Sequence, residues 1–204
     1  MYSTDPDVRN SYSADVSGLV LVPEAVARPT SIAETRELLR QAGMDRMCVT
    51  PAGSQTSTTG ASITDRGVLL SMRAMGRIID VDAGTRRAIV EPGVLLGDLN
   101  RAVAEHGLRF APDPTSEDDV TVGGGIACNA SGARTLLYGP TRNHVRSLKI
   151  VRADGSLVTA GRSGLEKNTA GYAFAHDPVD WFIGSEGTLG VIVEAELSLV
   201  PLPR

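Results

Sequence analysis

Three stretches of this chain gather small, hydroxyl-bearing and glycine residues at spacings that suit a phosphate-bearing, flat ligand. The first is Pro51-Ala52-Gly53-Ser54-Gln55-Thr56-Ser57, which follows a short apolar run. Small side chains at a strand end leave successive backbone N–H groups accessible, and such a turn forms an anion-binding concavity. The hydroxyls of Ser54, Thr56 and Ser57 add donors, so a pyrophosphate is a natural guest even without a lysine. The second stretch, Thr121-Val122-Gly123-Gly124-Gly125-Ile126-Ala127-Cys128-Asn129-Ala130-Ser131-Gly132, has consecutive glycines that permit close backbone approach to a ligand. It is not a GxGxxG fingerprint: counted from Gly123, the third glycine position is Cys128, and no strong strand precedes it. A nicotinamide-binding Rossmann unit is therefore disfavoured. The third stretch runs from Phe182 to Ile192, where Glu186 can accept a hydrogen bond or cap a turn. The backbone at Val191 and Ile192 can present a donor and an acceptor to a heterocycle. Taken singly, each stretch also reads as an ordinary turn or a close helix–sheet contact.

These loops need elements to hold them. Residues 1–28 read as a polar, irregular lead-in ending at Arg28-Pro29. Ser31 and Glu34 fit a capping box, Ile32, Leu38, Leu39 and Ala42 share an apolar side, and Gly43 supplies a stop, which predicts a helix. Met47–Thr50 and Gly67–Ser71 predict short buried strands. Arg77–Asp82 and Arg87–Glu91 pair through Asp82-Ala83-Gly84-Thr85 as a hairpin. Leu95, Leu99, Ala102, Val103 and His106 recur at helical spacing, closed by Gly107. Residues 112–139 lack periodicity and predict a long loop. Leu148–Ala153 and Ser156–Ala160 flank Asp154-Gly155, the strongest hairpin signal in the chain, and Gly190–Val200 alternates as a half-buried strand. The architecture expected is α+β, with subdomains at about 29–111 and 112–204, the second richer in antiparallel sheet.

Composition excludes several classes. Twenty Lys and Arg against 24 Asp and Glu give a net charge of −4, which attracts neither nucleic acid nor an anionic bilayer. No apolar run approaches the roughly 18–20 residues that span a membrane, and Met1–Tyr12 lacks the apolar centre of a signal peptide, so the cytoplasm is the expected home. Cys48 and Cys128 cannot build a disulfide framework, and three scattered histidines give no metal-ligand spacing. His106 reads as packed on an apolar helix face, and His144 and His176 as surface groups. Arg134 and Arg142 can approach a substrate carboxylate but read first as solvated arginines.

Ten short matches in order narrow the reading. They are Arg28-Pro29-Thr30-Ser31, Pro51 to Gly60, Glu91-Pro92-Gly93, Pro112 to Ser116, Thr121-Val122-Gly123-Gly124, Asn129-Ala130-Ser131-Gly132, Tyr138 to Arg142, Ala153-Asp154-Gly155, Asn168 to Tyr172, and Phe182 to Ile192. In this order the chain resembles the FAD-linked oxidase family of D-lactate and glycolate dehydrogenases and alkylglycerone-phosphate synthase, within the vanillyl-alcohol-oxidase-like superfamily. The resemblance runs from about Tyr12 to the last residue. It implies that Pro51, Ala52, Gly53, Ser54, Gln55, Thr56 and Ser57 wrap the FAD pyrophosphate. Asp113, Pro114, Thr115, Ser116, Thr121, Val122, Gly123 and Gly124, with Cys128, Asn129, Ala130 and Ser131, would line the ribityl and isoalloxazine side. Glu186, Gly187, Thr188, Leu189, Gly190, Val191 and Ile192 would hold the adenine and ribose end.

Departures matter too. Ala52 and Gln55 stand where relatives often have Arg and Gly, and Asn143 replaces an aspartate usual after Thr141-Arg142. Relatives with histidine-linked flavin carry that histidine where this chain has Thr56, and a second, cysteinyl link falls near Asp119. With neither nucleophile present, noncovalent FAD is expected, and Cys128 reads as a small loop residue. The resemblance implies a flavin-dependent oxidoreductase that oxidises a small 2-hydroxy acid or other alcohol by hydride transfer to FAD and passes electrons to an unknown acceptor. It also implies a C-terminal substrate domain, absent here, or a partner chain, to supply the catalytic residues. The alternatives are a flavin-holding subunit or truncated binding module without activity of its own, and a flavoenzyme that reduces an enolpyruvyl sugar nucleotide.

Overall fold

The computed structural model describes residues 2–164, 169 and 176–203. The stretch Asn168 to Tyr172 therefore lies, Thr169 apart, outside the described residues. The chain opens with β1 (Tyr2–Ser3), α1 (Pro6–Ser11) and β2 (Ala25–Ala27), then α2 (Ile32–Met44), β3 (Val49–Ala52) and β4 (Val68–Ser71). These strands form one sheet in the order β1-β2-β4-β3. β4 pairs parallel with β2 and with β3, and β1 is antiparallel at the edge. Residues 1–28 are thus not the irregular lead-in that their polarity suggests. Ala25, Val26 and Ala27 form a fully buried strand, too short to show a period against polar neighbours.

α2 starts where the capping signal placed it. The Ser31 hydroxyl accepts the Glu34 N–H at 3.2 Å, and the Glu34 carboxylate accepts the N–H of Thr30, one residue outside the reciprocal box. The helix continues through Gly43 to Met44 and buries Thr35, Leu38, Leu39 and Ala42.

The chain then enters a second, antiparallel sheet. β5 (Ile78–Asp82) and β6 (Arg87–Val90) make the expected hairpin, followed by α3 (Leu96–Ala104), β7 (Leu108–Arg109), α4 (Val122–Ala127) and α5 (Thr135–Tyr138). β8 (Val145–Val151) and β9 (Leu157–Gly161) form the Asp154-Gly155 hairpin, with Gly155 at φ 78°. β10 (Val191–Ser198) and β11 (Val200–Pro201) close the described chain. The order is β5-β6-β10-β8-β9, and β11 pairs with β7. The change of sheet falls between Ser71 and Ile78, ahead of the boundary near residue 111 that the sequence suggests. Residues 112–139, expected as one long loop, contain α4 and α5.

Two apolar cores follow from this layering. One packs the second sheet against α3 and α4 through Leu99, Val103, Ile126, Leu148, Ile150 and Leu197. The other joins the sheets, setting Leu38, Leu39, Val68 and Leu70 against Val151, Val191 and Val193. Burying each such leucine contributes roughly 1.5–3 kcal/mol. The outer face of the first sheet carries Val26, Ala52 and Leu69 beneath Val8 and Tyr12. Among the described residues no helix is long and apolar enough to cross a membrane.

Candidate functional site

In parallel sheets a ligand crevice opens beyond the carboxyl ends of the strands. At the ends of β3 and β4, along the seam with the second sheet, lies an open cleft of about 630 Å³. Its walls are Pro51, Ala52, Gly53 and Ser57; Ala61 and Ser62; Met72 and Pro92; Thr121, Gly123, Gly124, Ala127 and Cys128; and Ser185, Glu186, Gly187, Gly190, Val191 and Ile192. The three sequence stretches thus meet in one place.

Close backbone contacts hold them there. A β-carbon on Gly53 would overlap Oγ1 of Thr121, and one on Gly123 would lie 2.6 Å from Cβ of Pro92. Glycine at both positions lets the first loop and the β6–α3 turn press onto α4. Thr121 is the N-cap of α4, its hydroxyl accepting the Gly124 N–H at 3.3 Å. The N–H groups of Val122 and Gly123 donate to the carbonyls of Val94 and Pro92, both at 2.8 Å. At the other end of α4, the turn 184–187 docks by Gly184 N–H to Ile126 O at 3.1 Å and Glu186 N–H to Ala127 O at 2.9 Å. Glu186 sits at φ 50° and Gly187 at φ 78°, which folds the turn sharply enough to bring residues 190–192 alongside Pro51.

The chemistry of the cleft is set by what remains unpaired. Among the described residues, the N–H groups of Gly53, Ser54, Gln55, Thr56 and Ser57 donate to no protein acceptor. The Ser54 hydroxyl oxygen, in the same loop, is buried without a hydrogen-bond partner, at a cost of about 1–3 kcal/mol. Among the described residues no lysine or arginine lines the cleft, so an anion held by these walls would meet amide and hydroxyl dipoles. Cys128 stands at the lip, where burial and then the Glu186 carboxylate push its thiol above the usual range.

A groove of about 1160 Å³ continues the cleft towards α2 and the β8–β9 turn. It shares Pro51, Gly187, Gly190 and Val191 with the cleft and adds Thr188 and Leu189. Pro114, Val122 and Ala130 instead border a small apolar crevice that touches the other side of Thr121. Ser54, Gln55, Thr56, Asp113, Thr115, Ser116, Asn129 and Ser131 line none of these three spaces. Asp113 accepts the Arg134 N–H at 2.9 Å, and Asn129 Oδ1 accepts the Arg142 N–H at 3.0 Å, so both brace loops. Sequence reasoning missed Ala61, Ser62, Met72, Pro92, Ala127 and Ser185. Pro92, Ala127 and Ser185 lie within the stretches that the sequence marks, whereas nothing in the local sequence marks Met72.

Three basic residues differ from expectation. His106 is exposed in the turn after α3, because the helix ends at Ala104 before its apolar stripe would reach residue 106. His144 is buried, with Nε2 2.9 Å from Tyr138 O and its ring edge-on to Phe110, and burial lowers its pKa. Arg142 is partly buried and held by the protein: its guanidinium donates to the carbonyls of Asp180 and Ile183 at 2.7 and 2.6 Å. His176 is exposed, as expected.

Comparison with known proteins identifies what this cleft belongs to. Residues 23–161 match the family described as FAD binding domain. The chain belongs to that family. FAD is accordingly the cofactor of this domain, and the free amides, the unpartnered Ser54 hydroxyl and the apolar slot between Pro51, Pro92 and Ile192 fit it. The domain is 39% identical over 184 residues to the glycolate oxidase subunit GlcD of Bacillus subtilis, covering 90% of this chain and 38% of that protein. It is 37% identical over 182 residues to a D-2-hydroxyglutarate dehydrogenase of Xanthomonas citri pv. viticola, covering 89% of this chain and again 38% of the other. The domain thus spans about two fifths of the length of these curated relatives. Among solved structures, alkyldihydroxyacetonephosphate synthase matches all of this chain and 41% of its own, with a TM-score of 0.80 at 23% identity. That likeness establishes the fold, which is the α+β FAD-binding arrangement the sequence implied.

Proposed function

We propose that this domain is the cofactor-holding part of a flavin-dependent oxidoreductase acting on a small 2-hydroxy acid, with FAD bound noncovalently. The observation that carries the reading is the run of unpaired amides in the 53–57 loop, whose ends Gly53 and Ser57 line a largely apolar cleft. Bound FAD supplies the hydride acceptor. The protein's own part is binding, orientation and exclusion of water. The 53–57 loop would hold the pyrophosphate, and the walls from α4 and 186–192 would hold the flat and sugar portions. Relatives named for glycolate and D-2-hydroxyglutarate support a 2-hydroxy acid as the substrate class.

The substrate-facing acid–base groups are proposed to come from a further domain or a partner chain. Among the described residues, Glu186 and Cys128 are the only titratable side chains lining the cleft, and Arg142 is occupied by Asp180 and Ile183. Noncovalent attachment rests on Thr56 and Asp119 standing where linking residues would be.

Purification tests this directly. The protein should be yellow, or bind added FAD with a rise in Tm, and acid precipitation should release free FAD into the supernatant. Absence of FAD binding would overturn the cofactor assignment, and flavin retained in the pellet would overturn noncovalent attachment. Anaerobic bleaching by D-lactate, glycolate or D-2-hydroxyglutarate tests the oxidoreductase reading. Bleaching that requires an added partner chain would place the catalytic groups outside this chain.

A further inference from the structure

Residue 55 occupies φ 57°, a left-handed conformation in which a non-glycine side chain costs about 1 kcal/mol or more. A glutamine there needs compensation, and its amide shows where that comes from. Gln55 Nε2 donates to the carbonyl of Tyr12 at 2.9 Å and to that of Ser62 at 3.3 Å. Tyr12 belongs to the segment that leaves α1 and packs on the outer face of the first sheet beside Val26, Ala52 and Leu69.

The same segment returns to the loop twice more. Val16 N–H donates to Ser57 O at 3.0 Å, and the Asp15 carboxylate accepts the Ser62 hydroxyl at 3.2 Å. A bridge between Ala14 and Val20, with Leu21 N–H to Ser13 O at 2.8 Å, closes the segment on itself. Residues 12–21 therefore form a strap that grips the 53–62 loop by its side chains and carbonyls at residues 55, 57 and 62. None of these contacts uses a backbone N–H of residues 53–57 as donor.

We infer that Gln55 is a positioning residue for FAD, locking the pyrophosphate-binding loop to the 12–21 strap so that its amides are fixed before the cofactor arrives. The inference rests on the FAD reading above. Fixing a loop in its bound geometry strengthens binding by removing the ordering cost from the association step.

The test compares FAD binding by the purified wild-type chain, Gln55→Met and Gln55→Gly, using flavin fluorescence and the 31P spectrum of FAD at saturation. Methionine keeps the length of glutamine without its donors, and glycine relieves the backbone while also cutting the tether. Both variants are expected to weaken FAD binding about tenfold, the scale of one or two lost hydrogen bonds, and to shift the pyrophosphate 31P resonances of bound FAD. A purely structural role would lower Tm and leave those resonances in place, which overturns the inference. If Gln55→Met does not fold, Asp15→Asn should still weaken FAD binding by roughly threefold with the same 31P signature, and an unchanged Asp15→Asn overturns the proposal. Wild-type protein that binds no FAD removes the cofactor reading itself. Wild-type protein that binds, with variants indistinguishable from it, removes only the role of Gln55.

Discussion

Gly53 and Thr121 meet across the seam between the two sheets so closely that a β-carbon on residue 53 would overlap the threonine Oγ1. Thr121 is 1% exposed and its hydroxyl already caps α4 by accepting from Gly124, so it has little room to yield. Gly53→Ala is expected to push the first loop off α4, lowering stability by about 1–3 kcal/mol and FAD affinity by at least about tenfold. Urea unfolding and a flavin titration measure the two effects. Thr121→Ala alone should cost about 1 kcal/mol as a lost cap. The double variant should lose less than the sum, because the obstructing hydroxyl is gone.

Arg77 and Glu91 hold the opposite wall. Glu91 is 3% exposed, and its carboxylate accepts from the Arg77 backbone N–H at 2.9 Å and from its guanidinium at 2.7 and 3.0 Å. Burial pushes the Glu91 pKa up, but the Arg77 hydrogen bonds and charge outweigh it and hold it below its ordinary 4.5. A carboxylate with a depressed folded-state pKa stabilises above its unfolded value, and that stability is lost as pH falls through the folded one. Glu91→Gln should therefore cost about 1–2 kcal/mol at pH 7 and progressively less as pH drops below the carboxylate range, as read from urea midpoints across pH. Pro92, the next residue, lines the cleft, so FAD affinity should fall along with stability.

His144 acts in the opposite chemical sense with the same pH direction. Its burial disfavours the charged ring and outweighs the hydrogen bond to Tyr138 O, so its pKa lies below the ordinary 6.5. The neutral ring is the folded-state form. Stability from it is complete above the unfolded pKa and is lost as pH falls from there through the folded pKa. The wild type is expected to lose stability as pH falls from about 7 to 5, and His144→Gln should flatten that part of the profile. An unchanged slope in His144→Gln would mean the titrating group lies elsewhere.

How much of this was legible in the sequence depended on whether a local rule matched the force that dominates locally. The Asp154-Gly155 and Asp82-to-Thr85 hairpins and the Ser31-capped α2 emerge as read, because turn and cap chemistry act within a few residues. α4 did not, because Val122-Gly123-Gly124-Gly125-Ile126-Ala127 is a poor helix by propensity. It is held by the Thr121 cap and by bonds to Pro92 and Val94, which lie distant in sequence. β2 escaped notice because Ala25-Val26-Ala27 earns its burial from β4, not from its own pattern. The first and third stretches of the cleft were legible as loops, whereas the second folds as α4. Their convergence, and the inclusion of Met72 and Pro92, depend on how the two sheets dock, which no spacing records. The histidines reversed for a related reason: His106 follows a helical period past the real helix end, whereas His144 is buried by Phe110 and Tyr138 from other segments.

Cys128 offers a direct report on occupancy of the cleft. Its thiol lines the cleft wall, whereas Cys48 lies at the opposite end of β3, where its carbonyl accepts the Val68 N–H. Burial first, and the Glu186 carboxylate second, hold the Cys128 thiol above its ordinary 9.0. The reactive thiolate is thus scarce at pH 8. Glu186→Gln removes the second cause and should raise the rate of Cys128 alkylation by a maleimide roughly two- to threefold at pH 8, with Cys48 serving as the internal reference in the same digest. Saturating FAD should protect Cys128 and leave Cys48 unaffected. Equal protection of both cysteines would indicate global stiffening in place of occupancy. If FAD binds and Cys128 stays as reactive as before, the cofactor does not cover the α4 wall, and the assignment of that wall to the flavin fails.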